Sequence, residues 1–183
     1  MVVECGSNIG VSILFFKSLW PDANITGIED CPDTFALPKK NVIKLPGGTL
    51  INKAIIDRHQ VVRFYSSEIS VLGSSNPLRG GGESHSVEAS PMSEFIAGYV
   101  DLLNVDIEGS EIAAFAELEA SGKMPLIRQM FIEYHHHLPG ETNRLSTFWG
   151  RLERCGFDYD LRAALPKCSG DFQDIVIGAT RRD

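Results

Sequence analysis

Val2-Val3-Glu4-Cys5-Gly6-Ser7-Asn8-Ile9-Gly10 decides the fold. An apolar run ends in an acid, a glycine-rich turn follows, and an amphipathic segment comes next. This order predicts a parallel strand, a tight turn and a helix. Bare backbone N–H groups and a carboxylate then meet at the carboxyl end of the strand, where a nucleotide-like ligand approaches without steric obstruction. The spacing is acid-x-Gly-x-x-x-Gly, not the Gly-x-Gly-x-x-Gly of a pyrophosphate-binding turn. It suits a ligand without phosphates whose amino-acid end passes close to the backbone.

Working outward, Ile9, Ile13, Phe16 and Trp20 recur at helical spacing and predict a helix packed on a sheet. Asn24 to Glu29 reads as a second strand that again ends in an acid. A second helix is expected from Pro32 to Val42, with Pro32 in its first turn and Phe35 inward. Thr49 to Ile56 reads as one strand and Val61 to Tyr65 as a further, antiparallel one. Residues 66–90 hold Gly73-Ser74-Ser75 and Gly80-Gly81-Gly82 and read as an irregular loop, either a lid or a disordered excursion.

The second half repeats the alternation. A short helix is expected from Pro91 to Gly98, then a strand from Val100 to Ile107 delivering Asp106 and Glu108. Ser110 to Ala120 reads as a helix with Ile112, Phe115 and Leu118 inward. Leu126 to Tyr134 is a strand carrying Glu133 and His135 at its end, and Thr142 to Cys155 is helical. Phe157–Leu161 and Asp174–Ala179 are expected to pair as an antiparallel ribbon. The prediction is therefore an α/β fold with a mostly parallel sheet and helices on both faces. Right-handed crossovers place Glu4, Glu29, Asp106 and Glu133 on one edge, where open α/β sheets bind ligands.

Composition bounds the rest. The 183 residues favour a single domain over 1–183, and 43% hydrophobic residues suit an ordinary globular core. No stretch is long enough to span a membrane, and no signal peptide is visible. A net charge of −7 without a basic stripe argues against non-specific nucleic-acid binding. Cys5, Cys31, Cys155 and Cys168 lie far apart and read as reduced thiols of a cytoplasmic protein. No metal is expected from their spacing. A homo-oligomer is compatible with the sequence.

The chemistry falls on a few residues. Gly6, Ser7, Asn8 and Gly10 are expected to wrap the methionine part of S-adenosylmethionine (SAM), because a Cβ there collides with the ligand or forbids the turn. A tight turn without a ligand uses the same residues. Glu29, with Asp30 beside it, comes about twenty residues after the turn, where an acid accepts bonds from both ribose hydroxyls; NAD would be held in the same way. In Asn104-Val105-Asp106-Ile107-Glu108-Gly109-Ser110-Glu111, alternation puts Asp106 and Glu108 on one side of a strand. Asp106 is placed near the sulfonium or the accepting hydroxyl. Glu108 and Glu111 either line the reacting side or cap the helix.

Glu133-Tyr134-His135-His136-His137 follows the next strand. Alternation gives Glu133, His135 and His137 one face, and His135 titrates near neutrality, so His135 and Asp106 are the candidate bases. A histidine run on a loop is more often solvated than ligating.

Taken together, these segments resemble the FkbM family of SAM-dependent methyltransferases. The resemblance rests on Val3–Gly10, on Ile28-Glu29-Asp30-Cys31-Pro32 with Phe35, Leu37 and Asn41, on Asp106–Glu111, and on Phe131–His135. It implies a seven-stranded Rossmann-like sheet with an antiparallel last strand. It also implies O-methylation of a hydroxylated small molecule, a sugar or natural product. By position, Glu4, Gly6, Asn8, Gly10 and Glu29 would hold the cofactor, while Asp106, Glu108, Glu111, Glu133 and His135 line the reacting side. Three departures stand out: Glu4 where the family usually has Asp, Met92-Ser93 where it often has Leu-Asp, and a start directly at the first strand. Relatives usually carry helices before that strand, so an open site, a borrowed surface or truncation is expected. The rival readings are a nicotinamide-dependent oxidoreductase, weakened by the missing third glycine, and a non-catalytic binding module.

Overall fold

The computed structural model describes residues 1–42, 44–65, 84–140, 142, 144–164, 168 and 171–182. Strand β1 (Val2–Cys5) is buried along its whole length, as a strand must be when covered on both sides. Its neighbours are β2 (Ile25–Glu29) and β3 (Gly48–Asn52) on one side. On the other lie β7 (Val100–Val105), β8 (Ile127–His136), β10 (Gln173–Arg181) and β9 (Phe157–Ala163). The seven-stranded order is β3-β2-β1-β7-β8-β10-β9. Pairings are parallel as far as β8, and β10 runs antiparallel to both β8 and β9. The expected Rossmann-like sheet with its antiparallel C-terminal strand is what forms.

Alternation along β1 sorts the two layers. Val2, Ile25 and half-buried Leu102 face helices α1 (Val11–Leu19) and α2 (Pro32–Val42), meeting Ile13 and Val42. Val3, Cys5, Ile28, Leu103 and Val105 face α3 (Glu111–Ala120) and α4 (Leu145–Arg154), where Phe115, Leu118, Phe148 and Leu152 fill the larger core. Phe115 and Tyr134 both pack against the Phe148 ring at centroid distances of 4.9 Å.

Several expectations are corrected. The first helix starts at Val11, not Ile9; Ile13 packs inward, but Ile9 and Trp20 are exposed beyond its ends. The strand expected over Thr49–Ile56 breaks at Lys53, whose N–H donates to the Glu29 carbonyl. Its second half, β4 (Ala54–Ile56), joins a separate three-stranded sheet with β6 (Ser84–Pro91) and β5 (Gln60–Tyr65). β5 is antiparallel to β6, as expected of that segment. The loop reading over 66–90 therefore fails at 84–90, where alternate burial in β6 supplies Val87 and Ala89 to a small core. Residues 66–83 lie outside the described residues. The helix expected over Pro91–Gly98 is a single 3-10 turn, Met92–Phe95.

Strand β8 runs to His136, so His135 and His136 are buried strand residues and not solvated loop residues. His137 has φ 56° and leaves the strand, so it does not share the face of Glu133 and His135. All four cysteines are unpaired. Among the described residues, no helix is long and apolar enough to cross a membrane.

Candidate active site

The glycine turn is built by close packing. Gly6 has φ +87°, and a Cβ there would stand 1.7 Å from the Asp106 carbonyl oxygen. Its N–H and that of Ser7 both donate to the Ile28 carbonyl (2.9 Å each), which ties the turn to β2. Gly10 serves a different purpose. It sits at φ +85° ahead of α1, and a Cβ there would stand 2.8 Å from Pro38 Cβ. It lets α1 and α2 approach and does not line the cavity described next.

A cavity of about 370 Å³ opens beside Gly6. Of the residues expected at the site, Glu4, Gly6, Ser7, Asn8, Asp106 and Glu133 line it. Glu4 is 1% exposed. Its Oε1 accepts bonds from Ser12 Oγ (2.7 Å) and Asn104 Nδ2 (2.9 Å), while Oε2 has no hydrogen-bond partner among the described residues. Burial outweighs those two bonds and pushes the Glu4 carboxyl up to about 7. Ser7 Oγ is also buried and unpartnered. Two buried polar atoms left unpaired beside the cavity call for a water or a ligand group to complete them.

Glu29 does not line this cavity. Its carboxylate folds under the turn, with Oε2 accepting from Asn8 N–H (2.7 Å) and Oε1 from Cys31 N–H (3.2 Å). Burial raises its pKa against those bonds. Asp30, beside it, is pushed well above the usual carboxylate range by burial and by the Glu29 charge. The two form one acidic group at the end of β2.

The reacting side assembles around His135, whose side chain is 1% exposed. Its Nδ1 donates to Glu111 Oε1 (2.7 Å), and its Nε2 faces Glu108 Oε2 (3.2 Å), Asp106 Oδ1 (3.7 Å) and Asp174 Oδ1 (3.8 Å). Burial lowers the imidazole pKa, but the hydrogen bonds and charges of Glu108 and Glu111 prevail and push it up to about 10. Asp106 moves the opposite way from an ordinary acid: burial, then the charges of Glu108 and Glu133, raise it to about 7.

Glu111 is not a helix cap. It is buried, and Oε1 accepts from Gly109 N–H (3.0 Å) as well as from His135. Asp106 and Glu108 do converge on His135, but not by strand alternation. β7 ends at Val105, and Glu108 turns back with φ 54°. Two overlapping sets, Asp106–Glu108–His135 and Glu133–His135–Asp174, hold metal-ligand atom types within 4.8 Å of one another.

The sequence reading missed Ser12, Asn104 and Asp174. Asn104 and Ser12 carry a signal in hindsight: one is two residues before Asp106 in β7, the other two residues past the glycine turn. Asp174 carries none, because it meets His135 only through the β8–β10 register.

A family model described as the methyltransferase FkbM domain matches residues 4–159. The chain belongs to the FkbM methyltransferase family. Membership carries SAM as the cofactor, in agreement with the glycine-turn spacing, and displaces the oxidoreductase reading. Among solved structures, the FkbM methyltransferase from Methylobacillus flagellatus KT superposes with TM-score 0.60 at 15% identity, covering 96% of this chain and 42% of that one. The chain thus spans about two fifths of that protein's length. The N-terminal domain of EvdMO1 with SAH bound gives TM-score 0.60 at 13% identity, over 99% of this chain and 74% of that one. Aeropyrum pernix fibrillarin with natively bound SAM gives 0.55 at 13%, over 98% and 65%. At these identities the likeness is one of fold. No curated protein sequence matches the chain.

Proposed function

We propose that this FkbM domain catalyses O-methylation of a hydroxyl on a small acceptor, a sugar or natural product, and that Asp106 is the base. The observation that carries the reading is the cavity beside Gly6, with the unpartnered Glu4 Oε2 on one wall and Asp106 and Glu133 on another. Those residues fit SAM. Glu4 offers a buried carboxylate to an ammonium group, Ser7 offers a hydroxyl, and Gly6 presents backbone without bulk. When bound, SAM supplies the electrophilic methyl group.

The chain's own residues supply alignment and proton removal. Asp106, with a pKa near neutrality, is matched to take a hydroxyl proton at physiological pH. His135 is protonated in that range and acts as a fixed imidazolium. It gathers Asp106 and Glu108 at one place and limits their mutual repulsion. Glu111 orients the ring through Nδ1. This division of roles uses no metal and needs no nucleic-acid surface. Glu29 supports the turn from below, its carboxylate held by the Asn8 and Cys31 N–H groups.

The test is calorimetric titration with SAM, followed by transfer of a labelled methyl group to a panel of hydroxylated sugars and polyketides. SAM binding with label recovered in an ether linkage supports the reading. SAM binding with label recovered only on nitrogen or carbon acceptors would remove O-methylation and leave the family assignment intact.

A further inference from the structure

A second, smaller cavity lies behind His135, between the loops that follow β7 and β8. Its volume is about 60 Å³, and Ile112, Tyr134, His136, Leu138, Thr142 and Arg144 contribute to its wall. A water needs roughly 10–15 Å³ of such space, so the cavity admits a few waters or one small polar group such as a carboxylate. We propose that this cavity holds a carboxylate on the acceptor, which makes the acceptor a hydroxylated acid. The proposal rests on the methyltransferase reading above and specifies its substrate class.

His136 carries the argument. The residue is 7% exposed, and its buried Nδ1 has no hydrogen-bond partner among the described residues. A buried ring nitrogen left unpaired is costly unless a ligand or water completes it. Of the other polar side chains on the wall, the Arg144 guanidinium only donates, while the Tyr134 and Thr142 hydroxyls can donate or accept. The acid on that wall, Glu111, is already engaged by His135 Nδ1 and Gly109 N–H. A ligand group that accepts several hydrogen bonds and carries negative charge fits; an ammonium or a methyl group does not. A guanidinium matches a carboxylate as a planar fork.

The surroundings give this cavity a specific use. Asp106, Glu108, Glu133 and Asp174 crowd the neighbouring rim, so an anion placed there is repelled. Arg144 at the head of α4 offers the opposite sign. An acceptor with one carboxylate and one hydroxyl is therefore oriented by charge alone. On this proposal its acid lies toward Arg144 and His136, and its hydroxyl lies on the Asp106 side of the buried His135.

The test uses acetate as probe, with acetamide and chloride as controls, in the presence of SAH. The His136 Hε1 resonance is assigned with His136→Gln and followed by NMR, and SAM affinity is measured on the same samples. Acetate is expected to shift the His136 signal saturably, with acetamide and chloride at least about tenfold weaker. Arg144→Ala, at an exposed position, is expected to weaken acetate by about tenfold while SAM affinity holds. In turnover, a hydroxy acid should lose kcat/KM on conversion to its amide. Equal shifts with acetate and chloride, or acetate affinity unchanged in Arg144→Ala, would overturn the proposal. Protein that binds SAM but not acetate sinks the carboxylate pocket alone. Protein that binds acetate but not SAM keeps the pocket and sinks the transferase reading.

Discussion

The carbonyl oxygen of Asp106 occupies the space that a Cβ on residue 6 would need, 1.7 Å from the ideal Cβ position. The two signature segments of the chain are thus in direct contact, one strand apart in the sheet. The Asp106 N–H donates to the Cys5 carbonyl (2.8 Å), which fixes the same contact from the other side. Whatever moves Gly6 moves the proposed base.

Gly6→Ala tests this coupling. Its φ of +87° strains any L residue, and the added methyl meets backbone, which has nowhere to go. The expected cost is above about 2 kcal/mol in stability, with SAM affinity down at least about tenfold. Thermal melts and calorimetry read both. An alanine variant with native affinity would mean that the turn and the β7 end move independently.

Asp106 and His135 should separate by kinetics. Asp106→Asn is expected to lower kcat by about 10²–10⁴-fold with SAM binding nearly intact, the loss of a positioned base. His135→Gln removes the imidazolium from among four carboxylates, so it should lower both kcat and melting temperature. The pH profile of kcat in the parent enzyme should rise through about 7 as Asp106 ionises and fall near 10 as His135 loses its proton. An acid limb that persists unchanged in Asp106→Asn would assign the base elsewhere.

The sequence made local features legible and left register-dependent ones hidden. The turn from Glu4 to Gly10 and the segment from Asp106 to Glu111 were legible as strand-to-helix junctions, because each needs only a strand end, a glycine and a helix start; that β7 stops at Val105 and Glu108 turns back was not. Glu29 was placed at the right strand end, but its carboxylate direction was not readable; it accepts from Cys31 N–H two residues on and from Asn8 N–H, which only the β1–β2 pairing brings near. Asp174 reaches His135 only because β10 pairs antiparallel with β8 in one particular register. The Ser84–Pro91 strand was hidden by its serines, of which Ser84 and Ser86 are exposed while Ser90 is buried. The histidines were misread as loop residues because β8 runs on to His136, where its last three residues are all buried.

Chelation separates the imidazolium role from a metal role. The atoms of Asp106, Glu108 and His135 lie close enough to hold an ion, yet a protonated His135 Nε2 already faces both acids at 3.7 and 3.2 Å. Dialysis against EDTA is therefore expected to leave methyl transfer within about twofold of the untreated enzyme. Activity lost on chelation and restored by Mn²⁺ would hand the proton-holding position of His135 to a cation.

Stability should fall as pH rises, and the sign follows from three groups. Glu4 and Asp106 have pKa values raised to about 7 by burial, so between their ordinary values and 7 the folded chain holds protons that the unfolded chain has released. Folding is then favoured at low pH and weakened as those carboxyls are forced to ionise inside the fold. For Glu4 alone the span corresponds to on the order of 3 kcal/mol. His135, raised to about 10, acts in the same direction: its contribution is complete below about 6.5 and is lost as pH climbs through 10. The melting temperature without ligand should decline steadily from pH 5.5 to pH 9. Glu4→Gln should flatten the lower part of that decline, raise stability at pH 8 and weaken SAM by about 10–100-fold, since the amide no longer meets an ammonium with a charge. A saturating cationic ligand should restore in the parent what the Gln variant gains without one. Melting curves at four pH values with and without SAM decide the matter, and a Glu4→Gln variant that is less stable than the parent at pH 8 would show that the Ser12 and Asn104 bonds outweigh the buried charge.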